Sequence, residues 1–298
     1  MKSFAVTIVL SVAITAFKDC HALLPRLELF SSRIQSAVVS IDRIDRSLRC
    51  TDDAASFGAT PETRIINSDS VLIGSRLLYF GIPGRGEAVR LALAVGGVRF
   101  EDRRVPFPGW GRVKPTTPWG TLPVLELADG SRLAQSRSIL RFVGKRTGLY
   151  PNDDIIAQRV DELMDALEDL GAIVADVGRG LPRDELEAAR LAACSDGGSV
   201  HNHLAKIDTF IGANGSGGRA VGSEIGVACI LTFTNLGRLV GGVYFGVPPA
   251  VCDPFPNLQL VRKTVGCHPA VVAWYDTRAR EQKLLSPAEQ ILASCRDM

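Results

Sequence analysis

The chain has 298 residues, of which 46% are apolar and 22% charged, with a formal net charge of +2. That length suggests about two domains, and the composition is that of an ordinary globular protein with a core of normal size. Basic and acidic residues are interleaved, so there is no field of the kind that recruits nucleic acid or an anionic membrane.

In chain order, Lys2 precedes an uncharged run over 3–17, and Cys20-His21-Ala22 offers a small-x-small cleavage site, with Thr15-Ala16 as a rival. Residues 1–22 read as a secretory signal peptide, with an interfacial N-terminal helix as the alternative; the apolar run is too short for a comfortable span, and no stable span remains once it is removed. Residues 23–71 carry Arg26, Arg33, Arg43, Arg46 and Arg49, a Ser-rich patch, and acids such as Glu28 and Asp42. They read as a low-order presequence or spacer. A signal followed by a basic, hydroxylated spacer resembles the two-part presequences of complex plastids. The expected route is therefore the secretory pathway and onward to such a plastid, or the cytoplasm if the segment is not used.

Residues 72–149 form the first domain. A buried strand over 76–80 is followed by a turn at Gly81, Pro83 and Gly84 and by a helix from about Arg85 that stops at Gly96-Gly97. A strand over 99–105 completes a β-α-β unit, whose strands need the helical crossover if they are parallel. A Pro- and Gly-broken loop over 106–120 holds Trp110 and Trp119, and Asp129-Gly130 joins two short strands as a hairpin. Pro123 at a strand mouth marks a cis peptide or a tight turn. Ser136 is placed as the N-cap of an amphipathic helix ending at Gly148. The order β-α-β, loop, β-β-α is thioredoxin-like.

Residues 150–153 read as a linker, and 152–298 as an all-α domain. Its first helix, over 154–177, has Ile156, Val160, Leu163, Leu167, Leu170 and Val174 on one face and Asp161, Asp165, Glu168 and Asp169 on the other, which reads as a solvated face. Further helices are expected over 183–194, 200–211, 227–240, 256–265 and 269–280. The Gly-rich connection over 212–222 lacks the lysine and the setting of a phosphate loop. The seven cysteines show no Cys-x-x-Cys and no disulfide rhythm, which reads as a fold with free thiols. His201 and His203 have no acids or cysteines at ligand spacing, so no metal site is expected there.

Leu-Leu-Tyr-Phe, Gly-Arg-Gly-Glu-Ala-Val-Arg, Phe-Glu-Asp-Arg-Arg-Val, Trp110 with Lys114, Leu-Pro-Val-Leu-Glu and Gln-Ser-Arg-Ser-Ile, in that order and spacing, resemble the cytosolic-type glutathione transferases. Within them the tyrosine-using sigma class is nearest. The likeness is continuous over 77–169 and weaker to about 280. It implies a thioredoxin-like N-terminal domain before an all-α domain, a homodimer, glutathione as co-substrate and no metal requirement.

The free glutathione thiol titrates near ~8.5, and its thiolate is the nucleophile, so the site must favour the charged form. The resemblance implies that the Tyr79 hydroxyl donates to the sulfur, with Phe80 beside it and Arg85 in support. It assigns Gln135 and Ser136 to the γ-glutamyl end, Trp110 and Lys114 to the glycyl carboxylate, and the main chain at Leu122 and Pro123 to the cysteinyl backbone. Thr121 stands where the family often has Lys or Gln. Asp169 falls where the family supplies a carboxylate across the dimer interface, and with Asp165 and Glu168 it also resembles a divalent-cation site of some sigma-class interfaces. The family's Ser/Thr-x-x-Asp helix box has no counterpart at Ile225-Gly226-Val227-Ala228, where Ser223 is the substitute cap. A pocket wall from Gly81, Ile82 and residues near 170–174 is expected to receive a small hydrophobic electrophile. Conjugation, a glutathione-dependent isomerase or peroxidase acting on lipid-derived substrates, and a non-catalytic binding protein of the same fold are the readings that remain.

Overall fold

A computed structural model describes residues 70–284. The signal-like segment 1–22 and nearly all of the 23–71 spacer lie outside the described residues. Strand β1 (Arg76–Phe80), helix α1 (Glu87–Val95), β2 (Glu101–Val105), the four-residue turn of helix α2 (Trp110–Val113), β3 (Val124–Glu126), β4 (Arg132–Ala134) and α3 (Ser136–Thr147) make the first unit. The sheet order is β2-β1-β3-β4, with β1 and β2 parallel and β3 antiparallel to both of its neighbours. This is the thioredoxin-like arrangement implied by the sequence. The parallel pair is connected through α1, as a crossover requires.

The second part is helical: α4 (Asp154–Asp176), α5 (Arg183–Cys194), α6 (Ser199–Asn214), α7 (Val227–Val240), α8 (Pro256–Gly266) and α9 (Pro269–Leu284). The expected apolar stripe of α4 is buried at Val160, Leu163, Leu167, Leu170 and Val174, together with Met164, while Ile156 is exposed near the helix start. Asp153, read as linker, is the N-cap of α4: its side chain accepts from the Ile156 amide at 2.9 Å. Buried residues of both parts form one continuous core, in which α1 packs against α3, α7 and α9. Fully burying a Leu, Ile or Val side chain stabilises by ~1.5–3 kcal/mol relative to leaving it exposed, so α1, buried on all sides, is the element on which both parts depend.

Helix α7 replaces the missing box in a different way from the expected Ser223 cap. Its N-cap is Gly226, and the Val227 amide donates to the Leu149 carbonyl at 2.9 Å, so the end of the first unit caps it. A methyl on Gly226 would lie 2.7 Å from that carbonyl oxygen, which leaves no room for a Ser or Thr. Cys229 accepts the Ala220 amide on its sulfur at 3.2 Å. Cys194, Cys229 and Cys252 are free thiols, whereas Cys267 is disulfide-bonded, which corrects the free-thiol reading at that residue. Among the described residues no helix is long and apolar enough to cross a membrane.

Candidate functional site

Strand register alone brings the N-terminal candidates together. Leu78 pairs with Val124, and Val124 pairs with Ala134. β1 and β4 run in one direction and β3 in the other, so the residues just beyond this row, Tyr79, Pro123 and Gln135, all emerge at the carboxyl end of β1. Leu122 and Thr121 precede Pro123 at that end, with the Leu122–Pro123 bond cis. On the other side, Phe80 pairs with Val105, and the chain then leads directly to Trp110. Phe80 stacks on Phe107 with ring centres 4.7 Å apart and meets Trp110 edge-on at 5.7 Å.

Tyr79 is buried, and its hydroxyl accepts the main-chain N–H of Arg85 at 2.8 Å. Burial pushes its pKa above the ordinary phenol value, opposed by that bond, by the charges of Arg238 and Arg90, and by the Gly86 amide. The hydroxyl is therefore neutral at physiological pH and is held as an acceptor by the helix entrance, so its own proton is directed away from the protein main chain. Two glycines permit this approach: a side-chain carbon at Gly84 would overlap the Tyr79 hydroxyl, and one at Gly86 would overlap its ring.

Below the ring lies a charged cluster that sequence reasoning did not single out. The Arg90 side chain is fully buried. It donates to Asp102 at 2.8 Å, to Glu87 at 3.0 Å, and to the carbonyls of Phe80 at 2.9 Å and Ile82 at 3.1 Å. Burial disfavours its charge, but Glu87 and Asp102 hold its pKa above the usual arginine value. The guanidinium lies 5.4 Å from the Tyr79 ring centre. Glu87 also accepts from the Trp274 indole at 3.2 Å, which ties α9 to the same cluster. Arg90 and Glu87 stand at i, i+3 in the quoted motif; that spacing was the available signal.

Arg85 is half-exposed and pairs with Glu168 of α4 at 2.7 Å. Arg137 and Arg141 of α3 pair with Asp165 and Asp161, each at 2.6 Å. The acidic face of α4 is thus matched to arginines of the first unit and is not simply solvated. Asp169 stands apart: it is exposed, makes no hydrogen bond or ion pair with the described residues, and lines an open groove with Tyr150, Asp161 and Asp165. No group of three or more His, Cys, Asp or Glu side chains converges among the described residues to hold a metal. His203 instead bonds the Ala166 carbonyl at 2.8 Å, and His201 lies 3.0 Å from Asp196.

Ser136 is the first residue of α3, not its cap; the cap position belongs to Gln135, whose side chain caps nothing. Gln135 has φ of 71°, the one non-glycine with positive φ among the described residues. Such backbone costs of order ~1–3 kcal/mol and persists where surrounding structure imposes it, typically at functional sites. It stands at the entrance of α3, whose first main-chain N–H groups have no intrahelical partner. Lys114 is exposed, with its stem beside Gly120.

Within the stretch expected to contribute to the electrophile wall, Leu170 and Val174 are buried in the core, whereas Gly171, Ala172 and Ile173 between them are at least partly exposed. A narrow crevice opens between Pro83, on the loop after Tyr79, and the last two turns of α7 at Phe233, Gly237 and Arg238, bordered by Val243, Tyr275, Glu87 and Arg262. Tyr244, beside Gly171 of α4, accepts from Arg238 at 2.6 Å.

Residues 86–146 match the family described as "Glutathione S-transferase, N-terminal domain". The chain is 34% identical over 148 residues to glutathione S-transferase 1 of Ascaris suum, covering 47% of this chain and 68% of that protein. It belongs to the glutathione S-transferase family. The transferase chain is also 27% identical to the human hematopoietic prostaglandin D synthase over 204 residues, covering 68% of this chain and 96% of that one. Its fold matches the solved prostaglandin synthase D of Nilaparvata lugens with a TM-score of 0.60 at 25% identity, covering 69% of this chain and 98% of that one.

Proposed function

We propose that this member of the family conjugates the glutathione thiolate to small apolar electrophiles and that Tyr79 stabilises the thiolate, as in the sigma class. The observation that carries the proposal is the Tyr79 hydroxyl: neutral, fixed as acceptor of the Arg85 amide at the end of β1, with its proton unclaimed among the described residues. Two main-chain N–H groups polarise the phenol and make it a stronger donor. A donor to sulfur favours the charged form, and each pKa unit of depression corresponds to ~1.4 kcal/mol. The lone pair of the thiolate then forms the carbon–sulfur bond while the leaving group departs with its bonding pair.

Arg85 supports the sulfur site from the helix entrance. Gln135, Ser136 and the start of α3 hold the γ-glutamyl end, Leu122 and cis-Pro123 offer main chain to the cysteinyl unit with Thr121 adjacent, and Trp110 with Lys114 meets the glycyl carboxylate beside Phe80. Asp169, without a partner among the described residues, reaches the glutathione amine of a second subunit, which makes a homodimer the working unit. Turnover of glutathione with 1-chloro-2,4-dinitrobenzene tests this reading: saturable conjugation supports it, and glutathione binding without turnover on any aryl halide overturns it. The likeness to prostaglandin D synthases favours a second reading, a glutathione-dependent isomerase or peroxidase on lipid-derived substrates. Turnover confined to lipid peroxides or endoperoxides would select it.

A further inference from the structure

The arginines around Tyr79 are not electrically equivalent. Arg85 is matched by Glu168, Arg90 by Glu87 and Asp102, and Arg104 by Asp102. Arg238 is the exception. Its guanidinium donates to the Tyr244 hydroxyl at 2.6 Å and, at 3.5 Å, to the Asn235 amide oxygen, and it lies 5.4 Å from the Tyr244 ring centre. Among the described residues it meets no carboxylate. It is half-buried in the last turn of α7 and faces the crevice whose opposite edge is Pro83, in the loop that begins two residues after Tyr79. Its charge is felt at the Tyr79 hydroxyl. The same crevice is lined by Phe233, Thr234, Gly237 and Val243, and by two further charged residues, Glu87 and Arg262.

We propose that Arg238 is the specificity residue of the electrophile site, pairing with a carboxylate on an otherwise apolar electrophile whose reactive carbon lies toward Tyr79. A fixed guanidinium with unfilled donors, in partly dehydrated surroundings, recognises a carboxylate by charge-assisted bonds about twice as strong as neutral ones. Tyr244 holds the guanidinium in place, so little side-chain freedom is lost when the acid binds. Glu87, on the same crevice, bonds Arg90 and Trp274. The inference rests on the transferase reading and narrows it to acidic electrophiles.

The test uses the full chain and two product conjugates differing at one group, S-(4-carboxy-2-nitrophenyl)glutathione and its carboxamide, with affinities from calorimetry. The parent is expected to bind the carboxylate conjugate about tenfold more tightly than the carboxamide, the scale of one partly exposed charged hydrogen bond. In Arg238→Gln the ratio falls to about one, and in Arg238→Lys most of the preference returns. Equal affinity for the two conjugates in the parent overturns the role of Arg238 while leaving the glutathione site intact. A preference that survives in Arg238→Gln overturns it as well and assigns the anion to another cation. Failure of the parent to bind either conjugate or glutathione itself removes the transferase reading, and this inference with it.

Discussion

Arg90→Met isolates the cluster beneath Tyr79. The substitution keeps a linear apolar stem and removes every donor, so the bonds to Asp102, Glu87 and the carbonyls of Phe80 and Ile82 are lost together. The Glu87 and Asp102 side chains are only 2% and 13% exposed, so both carboxylates lose the buried cation between them, and Asp102 keeps only its pair with Arg104 at the cluster's edge. Breaking one partner of a buried ion pair typically costs ~3–5 kcal/mol. At ~2–4 °C per kcal/mol for a chain of this size, the unfolding midpoint is expected to drop by roughly 6–20 °C. Near-ultraviolet circular dichroism during a thermal scan reads the change, because Tyr79 and Trp274 both border the cluster. Arg159→Met is the control: its pair with Glu162 is 45% and 41% exposed, a surface contact of the kind that contributes ~0–1 kcal/mol. Neutralising the two acids in the same background, Glu87→Gln with Asp102→Asn, is expected to recover part of the loss. A midpoint for Arg90→Met no lower than that of Arg159→Met would refute the claim that this cluster anchors the fold.

Gly84→Ala places a methyl against the Tyr79 hydroxyl. Displacing a catalytic group by an ångström costs on the order of 100-fold, so kcat/KM is expected to fall by about that factor while glutathione affinity changes little; unaltered kcat/KM would mean the hydroxyl is not held there for catalysis. Tyr79 has its folded pKa raised above 10.0 by burial, so the stability it contributes is full at neutral pH and is lost as pH climbs past 10.0 through the raised value. Tyr79→Phe is expected to lose that part of the alkaline dependence, and identical alkaline unfolding curves for the two proteins would count against the burial. Burial pushes the Cys252 thiol up to about 12, so in the folded protein at pH 8 it is expected to resist aromatic disulfide reagents and to react only on unfolding, as followed by peptide mass mapping. Rapid labelling in the native state would contradict the packing around α8.

Much of this arrangement is legible in the residues because its signals are local. Asp129-Gly130 announces the hairpin, Gly96-Gly97 and Gly148 stop α1 and α3, and the 3.6-residue rhythm of Val160 to Val174 marks the buried face of α4. The motif order places Tyr79, Pro123 and Gln135 in one domain, and register then puts them at one end of the sheet. What the sequence hides is what depends on contacts far apart in the chain. Arg90 looks like an ordinary helix charge until Asp102, on the next strand, turns inward to meet it. Asp161, Asp165 and Glu168 look solvated because their arginines lie in the other part of the molecule. The cap of α7 comes from the Leu149 carbonyl, a main-chain group that carries no sequence signature. Arg238 has no motif at all; only the approach of α7 to the Pro83 loop gives it a role.

The central claim is that Tyr79 stabilises a glutathione thiolate at the end of β1. Its most direct test is ultraviolet difference absorbance near the thiolate band when glutathione is added at neutral pH to the parent and to Tyr79→Phe. A saturable thiolate signal in the parent that is absent in Tyr79→Phe, with glutathione affinity nearly unchanged, is the predicted result. A signal of equal size in both proteins would contradict the account and move thiolate stabilisation to another donor.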